Sequence, residues 1–290
     1  MKPPPFDYIA PTSLEAALEL TAQYGSEAKI LAGGQSLIPT LNFRLSQPGI
    51  LIDLNRIDSL AGLRVLPDGG LRIGAMTRQR QVERDARVAQ FCPLLAETLP
   101  FIAHPQIRNR GTVGGSLVHA DPAAELPVIA VALGGRLQMR SRRGERWVSA
   151  ADFFLGTFAV DLAPDEVLTA LELPPWPART GSAFVEVARR RGDYALAGVA
   201  ALVTLDEKGR CRRARLVYLN VGDRPIVAAQ AARLLEGEII SAETIAAAAD
   251  LAATTEIDPI GNIHASAGYQ RHLTRVLTRR ALTTALTRSA

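Results

Sequence analysis

The segment 104–127, HPQIRNRGTVGGSLVHADPAAELP, constrains this chain more than any other. Gly111, Gly114 and Gly115 fall within five residues, interleaved with Thr112 and followed by Ser116. Glycine at that density belongs where backbone must approach another group closely or take a positive φ. Arg108 and Arg110 place positive charge just upstream, and an apolar run, AAELPVIAVAL, follows and reads as a buried helix over about 123–133. A glycine-rich turn leading towards a helix start suits a phosphate, because its N–H groups can converge on an anion and the hydroxyls of Thr112 and Ser116 can add to them.

A second element of this kind lies upstream. Gly33-Gly34-Gln35-Ser36 sits between a short strand predicted over 29–32 and a short helix over 37–44. One Gly-Gly-x-Ser turn is usually only a turn. Two of them, each at a junction before a helix, point to a ligand with two phosphates or to one long ligand held at two points. Neither fits G-x-G-x-x-G or G-x-x-x-x-G-K-[ST], so the pattern is not that of a Rossmann or Walker A site. Ser116 lacks the following glycine of a nucleophile elbow.

Around these turns the pattern alternates strands and helices. Thr12 or Ser13 caps a helix that ends at Gly25. Strands at 29–32 and 50–54 flank the short helix, and parallel pairing is the default for that unit. Hairpins are predicted over 62–75 and 136–148, a helix over 93–103, and a strand over 166–173. Pro174-Pro175-Trp176-Pro177 continues neither strand nor helix easily and marks a boundary. Beyond it, strands are expected over 183–188, 197–205 and 211–220. Helices are expected over 226–236, 242–254 and 265–286, the last amphipathic and laid on a sheet or a partner.

Other chemistries find little support. The net charge is only +4 and no basic block is interleaved with aromatics, which argues against nucleic acid. Cys92 and Cys211 form no C-x-x-C pair and cannot supply the four ligands of an iron–sulfur cluster. Of four histidines, His119 alone has a carboxylate close by, Asp121, and no further metal ligands are evident. No signal-peptide core or membrane-spanning apolar run is present, so a cytoplasmic protein without membrane insertion is expected.

AGGQSLIP at 32–39 and IRNRGTVGGSLVHADPAAELP at 107–127 resemble the two FAD-binding loops of the medium flavoprotein subunit of molybdenum hydroxylases, the xanthine dehydrogenase and carbon monoxide dehydrogenase family. The resemblance continues through Arg190-Arg191-Gly192-Asp193-Tyr194-Ala195 and 264–282, and so covers essentially the whole chain. It implies an α+β fold: a PCMH-type FAD-binding domain of two α/β subdomains over 1–176, then a C-terminal domain over 177–290 with a three-stranded antiparallel sheet and helices. It implies FAD as the cofactor, with Leu31, Ala32, Gly33, Gly34, Gln35, Ser36, Leu37, Thr112, Gly114, Gly115 and Ser116 around it. Asp121 or Glu125 would accept from a ribose or ribityl hydroxyl, the family's carboxylate falling at Glu125. Ile102 and Leu168 fall at apolar cofactor contacts, with plain core as the alternative. Tyr194 falls beside the isoalloxazine, with a half-buried strand tyrosine as the alternative. No catalytic residue or metal ligand is implied on this chain. Gln35 replaces the histidine of carbon monoxide dehydrogenase subunits, and Glu186 stands where some relatives carry lysine. The implied partners are a large subunit with the molybdenum cofactor and a small subunit with 2Fe-2S clusters, electrons passing through FAD to an acceptor. A standalone flavin reductase or oxidase, or a non-enzymatic flavin-binding maturation factor, remains open at this point.

Overall fold

The fold was determined as a computed structural model, which describes residues 2–289. The first unit is a small parallel sheet. Strand β1 (Asp7–Ile9) leads to helix α1 (Leu14–Tyr24), which Ser13 caps by accepting from the Ala16 N–H and which stops at Gly25, φ +49°. Then come β2 (Ala28–Leu31), α2 (Leu37–Asn42) and β3 (Ile50–Asp53). The order is β1-β3-β2, both pairs parallel. Leu14, Ala17 and Leu18 of α1 pack with Ile52, Leu54 and Met76 in a core of their own.

The second unit starts with the hairpin β4 (Leu63–Val65) and β5 (Leu71–Gly74). Six helices of six to eight residues follow: α3 (Gln79–Arg84), α4 (Ala86–Phe91), α5 (Pro93–Thr98), α6 (Pro105–Arg110), α7 (Val113–His119) and α8 (Glu125–Ala132). Next are the hairpin β6 (Arg136–Ser141) and β7 (Gly144–Ser149), helix α9 (Ala150–Phe153), the small pair β8 (Phe154–Gly156) and β9 (Ala159–Val160), and β10 (Val167–Leu173). The sheet order is β4-β5-β10-β6-β7, so β10 joins the two hairpins at the centre, and all seven of its residues are buried. Local turn chemistry predicts each hairpin but not this long-range insertion.

The third unit is an antiparallel sheet of three long strands, β11 (Thr180–Ala188), β12 (Ala195–Leu205) and β13 (Cys211–Leu219), with the two-residue β14 (Ile226–Val227) at its edge. The helix expected from 226 starts later, as α10 (Ala229–Arg233), because Ile226 and Val227 pair with Tyr218 and Val217. Helices α11 (Ala242–Leu251) and α12 (Ala267–Arg288) complete it. Side chains alternate across a sheet, and here each face has its own core. Ala197, Val199, Ala201 and Tyr218 meet Leu273, Leu277, Ala281 and Ala285 of α12, so that helix lies on its own sheet. Phe184, Ala200, Leu202, Val217 and Leu219 face the other way and share a core with Leu95, Leu117, Val128 and Ile129. Among the described residues no helix is long and apolar enough to cross a membrane.

Candidate functional site

Strands β2 and β3 are parallel neighbours, and ligands of open parallel sheets bind beyond the carboxyl ends of the strands. Gly33, Gly34, Gln35 and Ser36 leave the carboxyl end of β2 there, and Asp53 and Asn55 lie at that of β3. Gly34 takes φ +73° and the turn closes through Ile38 N–H donating to Gly34 O at 3.2 Å. The N–H groups of Gly34, Gln35 and Ser36 find no acceptor among the described residues. A cleft of about 310 Å³ opens here, lined by the turn itself together with Leu31, Ala32, Asp53, Asn55 and Arg110.

The second glycine segment lies directly against the first. A Cβ on Gly33 would stand 2.5 Å from Arg110 O and 2.8 Å from Gly111 Cα, and one on Gly115 would be 3.6 Å from Ala32 Cβ. The two segments, about eighty residues apart in sequence, thus form one surface. Asn55 and Arg78 stitch them together. Asn55 Nδ2 donates to Ala32 O at 2.9 Å, while Arg78 donates from Nη2 to Asn55 Oδ1 at 2.6 Å and from Nη1 to Arg110 O at 2.7 Å. Asp53 fixes Asn55 by accepting from its N–H at 2.8 Å, and takes the Tyr8 hydroxyl at 2.5 Å on its other oxygen. Asp53, Asn55, Arg78 and Tyr8 escaped the sequence reading. The usable signal was Asp53-Leu54-Asn55 at the end of a predicted parallel strand.

The structure corrects the expected conformation of residues 112–116. They are not an open turn with positive φ: Thr112 caps α7, and Gly114 and Gly115 lie in its first turn. The N–H groups of Val113 to Ser116 are occupied. Val113 donates to Thr77 O, Gly114 to Ala75 O at 2.8 Å, and Gly115 to Thr112 Oγ1 at 3.0 Å. Gly114 is needed for close packing, since a Cβ would lie 2.5 Å from that of Ala75. This segment therefore offers a ligand the Ser116 side chain and a surface for close approach, not a nest of free donors. A run of three free N–H groups among the described residues is found in the 33–36 turn.

Beyond α7, the loop 120–124 runs into α8. Asp121 Oδ1 accepts from Ala123 N–H at 2.9 Å, and Pro122 O accepts from Asn220 N–H at 2.8 Å, which ties the loop to the end of β13. Glu125 is the first residue of α8 and only 8% exposed; burial, added to by the charge of Asp121, pushes its carboxyl up to about 7. Tyr194 is 66% exposed in the turn before β12, so it is not a half-buried strand residue. Its ring lies within the field of Asp121 and Glu125. The turn that carries it seats on the segment before α6: Gly192, φ +80°, leaves no room for a Cβ, which would meet the His104 ring at 2.6 Å. Ile102 and Leu168, 7% and 5% exposed, are buried in the core shared by the second and third units. Leu37 opens α2 beside the 33–36 turn, and Leu31 ends β2 within the cleft.

These residues fit a dinucleotide with a pyrophosphate. Arg78 and Arg110 form no ion pair among the described residues, and burial followed by the Arg110 charge pulls Arg78 below its ordinary value. An anion beside Arg110 and the free 34–36 N–H groups relieves that repulsion. Among the described residues no group of three or more His, Cys, Asp or Glu is placed to hold a metal ion.

Comparison with known proteins agrees. Residues 4–176 match the family described as FAD binding domain in molybdopterin dehydrogenase, and 182–285 the CO dehydrogenase flavoprotein C-terminal domain. The chain is 45% identical over 289 residues to the 6-hydroxypseudooxynicotine dehydrogenase complex subunit alpha of Paenarthrobacter nicotinovorans, covering 100% of this chain and 97% of that one. Two solved structures superpose along the whole chain. A carbon monoxide dehydrogenase from Hydrogenophaga pseudoflava that lacks the Mo-pyranopterin moiety gives a TM-score of 0.96 at 37% identity, with 100% of each chain covered. Quinoline 2-oxidoreductase from Pseudomonas putida 86 gives 0.94 at 40%, with 99% of each covered.

Proposed function

The chain belongs to the family of FAD-binding medium subunits of molybdenum hydroxylases, oxidoreductase components by kinship, and from that premise we propose that it is the electron-relaying subunit of a heteromeric complex. A large partner with the molybdenum cofactor would oxidise the substrate, and a small partner with 2Fe-2S clusters would carry electrons to this chain. FAD, when bound, supplies exchange between one-electron and two-electron carriers. In this reading residues 1–176 are the FAD-binding domain and 177–290 the C-terminal domain.

The chain's own residues bind and orient. The observation that carries the reading is the meeting of two glycine segments at Gly33 and Arg110, beside the free N–H groups of Gly34, Gln35 and Ser36. Those donors and Arg110 would hold the pyrophosphate, with Ser116 adding a hydroxyl. Gly33 lets the two segments close on one another. Asp121 and Glu125 would meet the sugar-like chain, and Tyr194, exposed at the far end, would cover the ring. Among the described residues no group of three or more His, Cys, Asp or Glu is placed to hold a metal ion, and in this reading the substrate is oxidised on the large partner.

Arg190 and Arg191 are exposed in the Tyr194 turn, whereas Arg189 is tied to Asp193 at 3.0 Å. They are the docking residues of this proposal. Helix α12, which the sequence also offered, has its apolar face against its own sheet.

Anaerobic mixing tests the relay. The FAD-loaded chain should bleach when a reduced 2Fe-2S partner subunit is added, and should release intact FAD non-covalently on acid treatment. Bleaching by organic substrate in the isolated chain overturns the subunit reading. Charge reversal at Arg190 and Arg191 that leaves the relay intact removes the docking residues.

A further inference from the structure

A guanidinium is buried beneath the Tyr194 turn. Arg108, in α6, is only 4% exposed. Its Nε and Nη2 donate to the two carboxylate oxygens of Glu83 in α3, at 2.9 Å and 3.0 Å, in the planar fork that arginine forms with a carboxylate. That pair answers the charge and leaves Nη1 for other partners. Nη1 turns to the chain just before α6 and donates to two successive carbonyls, Ile102 O at 2.6 Å and Ala103 O at 3.1 Å. These carbonyls belong to the peptide groups on either side of Ala103. Peptide groups are planar, so one guanidinium fixes both planes and with them the backbone angles of the residue between. Ala103 stands at φ +42°, which a residue with a Cβ adopts only under strain.

This strained corner is a seat. Gly192, φ +80°, packs on it so closely that a Cβ would lie 2.7 Å from Ala103 O and 2.6 Å from the His104 ring. The turn above is braced within itself. Asp193 N–H donates to Arg190 O at 3.1 Å, Tyr194 N–H donates to Asp193 Oδ1 at 3.0 Å, and Arg189 pairs with Asp193 at 3.0 Å. Strands β11 and β12 fix its two ends where Ala188 pairs with Ala195. On its outer side Arg189 reaches His264 at 3.2 Å, a contact between exposed side chains that carries little. The tilt of the turn is therefore set by the seat, and Tyr194, 66% exposed, follows that tilt.

We propose that Arg108 is a positioning residue for the flavin: through the Ala103 corner and Gly192 it holds the Tyr194 ring where it covers the isoalloxazine, a role that rests on the FAD reading above. Glu83 keeps the guanidinium oriented. Helix α6 then serves both ends of the ligand, Arg110 at the pyrophosphate and Arg108 at the ring. Lysine cannot replace arginine here. A single ammonium can pair with Glu83 but cannot also span the two carbonyls. Without them the corner relaxes from its positive φ, the turn loses its seat and Tyr194 leaves the ring. The 33–36 donors and Arg110 still hold the pyrophosphate.

The experiment uses the full chain, with and without FAD, and Arg108→Lys, which keeps a cation beside Glu83. A tyrosine ring against a flavin quenches its fluorescence, and Tyr194→Ala sets the unquenched level. Arg108→Lys should keep FAD bound, gain flavin fluorescence towards that level, and gain nothing further in the Tyr194→Ala background. Glycine takes a positive φ freely. Adding Ala103→Gly to Arg108→Lys should therefore recover most of the quenching, which a mere tie between α3 and α6 would not. Gly192→Ala lifts the turn with Arg108 intact and should show the same gain. In the cofactor-free protein, hydrogen exchange at 102–104 and 190–194 should quicken by about tenfold or more in Arg108→Lys, as two charge-assisted bonds are lost. Unchanged exchange and quenching in Arg108→Lys, a gain that persists without Tyr194, or no recovery with Ala103→Gly overturns the proposal. Full quenching in Gly192→Ala or in Tyr194→Ala overturns it too. Absence of FAD binding in wild type overturns the cofactor reading itself, and the exchange rates still report whether Arg108 holds the seat.

Discussion

Replacing Gly33 with alanine separates two effects that most glycine substitutions confound. The added Cβ would meet Arg110 O at 2.5 Å and Gly111 Cα at 2.8 Å, both backbone atoms. Ordinary contact starts about 1 Å further out, so the 33–36 turn and the 110–111 backbone must move apart by roughly that amount. Forcing a methyl group into such packing costs about 1–3 kcal/mol. Binding suffers differently. N–H donors 1 Å out of place lie beyond hydrogen-bond reach of a phosphate held by the other segment. Two charge-assisted bonds lost, at about 1.5 kcal/mol each or more, weaken FAD by upwards of 100-fold. Gly209→Ala is the control: φ is +75° with open space around it, so it costs backbone strain of about 1–2 kcal/mol and nothing at the cleft. Urea unfolding of the cofactor-free proteins measures the stability loss, and FAD titration of folded protein measures affinity. The two variants should lose similar stability, while only Gly33→Ala loses FAD. Equal FAD affinity in both refutes the argument that close approach of the two segments builds the site.

Thr112→Ala removes the cap of α7 and should cost about 1 kcal/mol in urea unfolding, with Thr112→Ser restoring most of it; no loss would deny the cap a role. Arg146 binds Glu166 at 2.7 Å and Asp161 at 2.8 Å, and its hydrogen bonds hold both carboxyls below their ordinary range. A depressed native value gives stability that is present above the unfolded values of about 4 and lost as pH falls through the native ones. Arg146→Gln should therefore unfold at a higher pH on acidification, followed by circular dichroism; an unmoved midpoint counts against the network. Cys92 and Cys211 are buried, and burial pushes their thiols up to about 12 and about 11. Both should resist a disulfide reagent at neutral pH until the chain is unfolded, and fast labelling of native protein would contradict the packing around them.

Local chemistry carried much of the fold. Ser13 and Gly25 bound α1 because a capping hydroxyl and a positive-φ residue act within a few residues of the chain. The hairpins at 63–74 and 136–149 were legible from their turns for the same reason. Two Gly-Gly-x-Ser segments, and the resemblance they carry, were enough to name a cofactor.

What the sequence could not supply was everything that depends on which distant surfaces meet. The glycines at 114 and 115 suggested an open loop, yet tertiary contact with Ala75 and the Thr112 cap draws them into a helix, where glycine serves close packing rather than a special φ. Asn55 and Arg78 looked like ordinary polar residues until folding placed Ala32 O and Arg110 O within their reach. The burial of Glu186 Oε2 is decided the same way: alternation along β11 sets the face it lies on, but tertiary packing over that face is what removes the water.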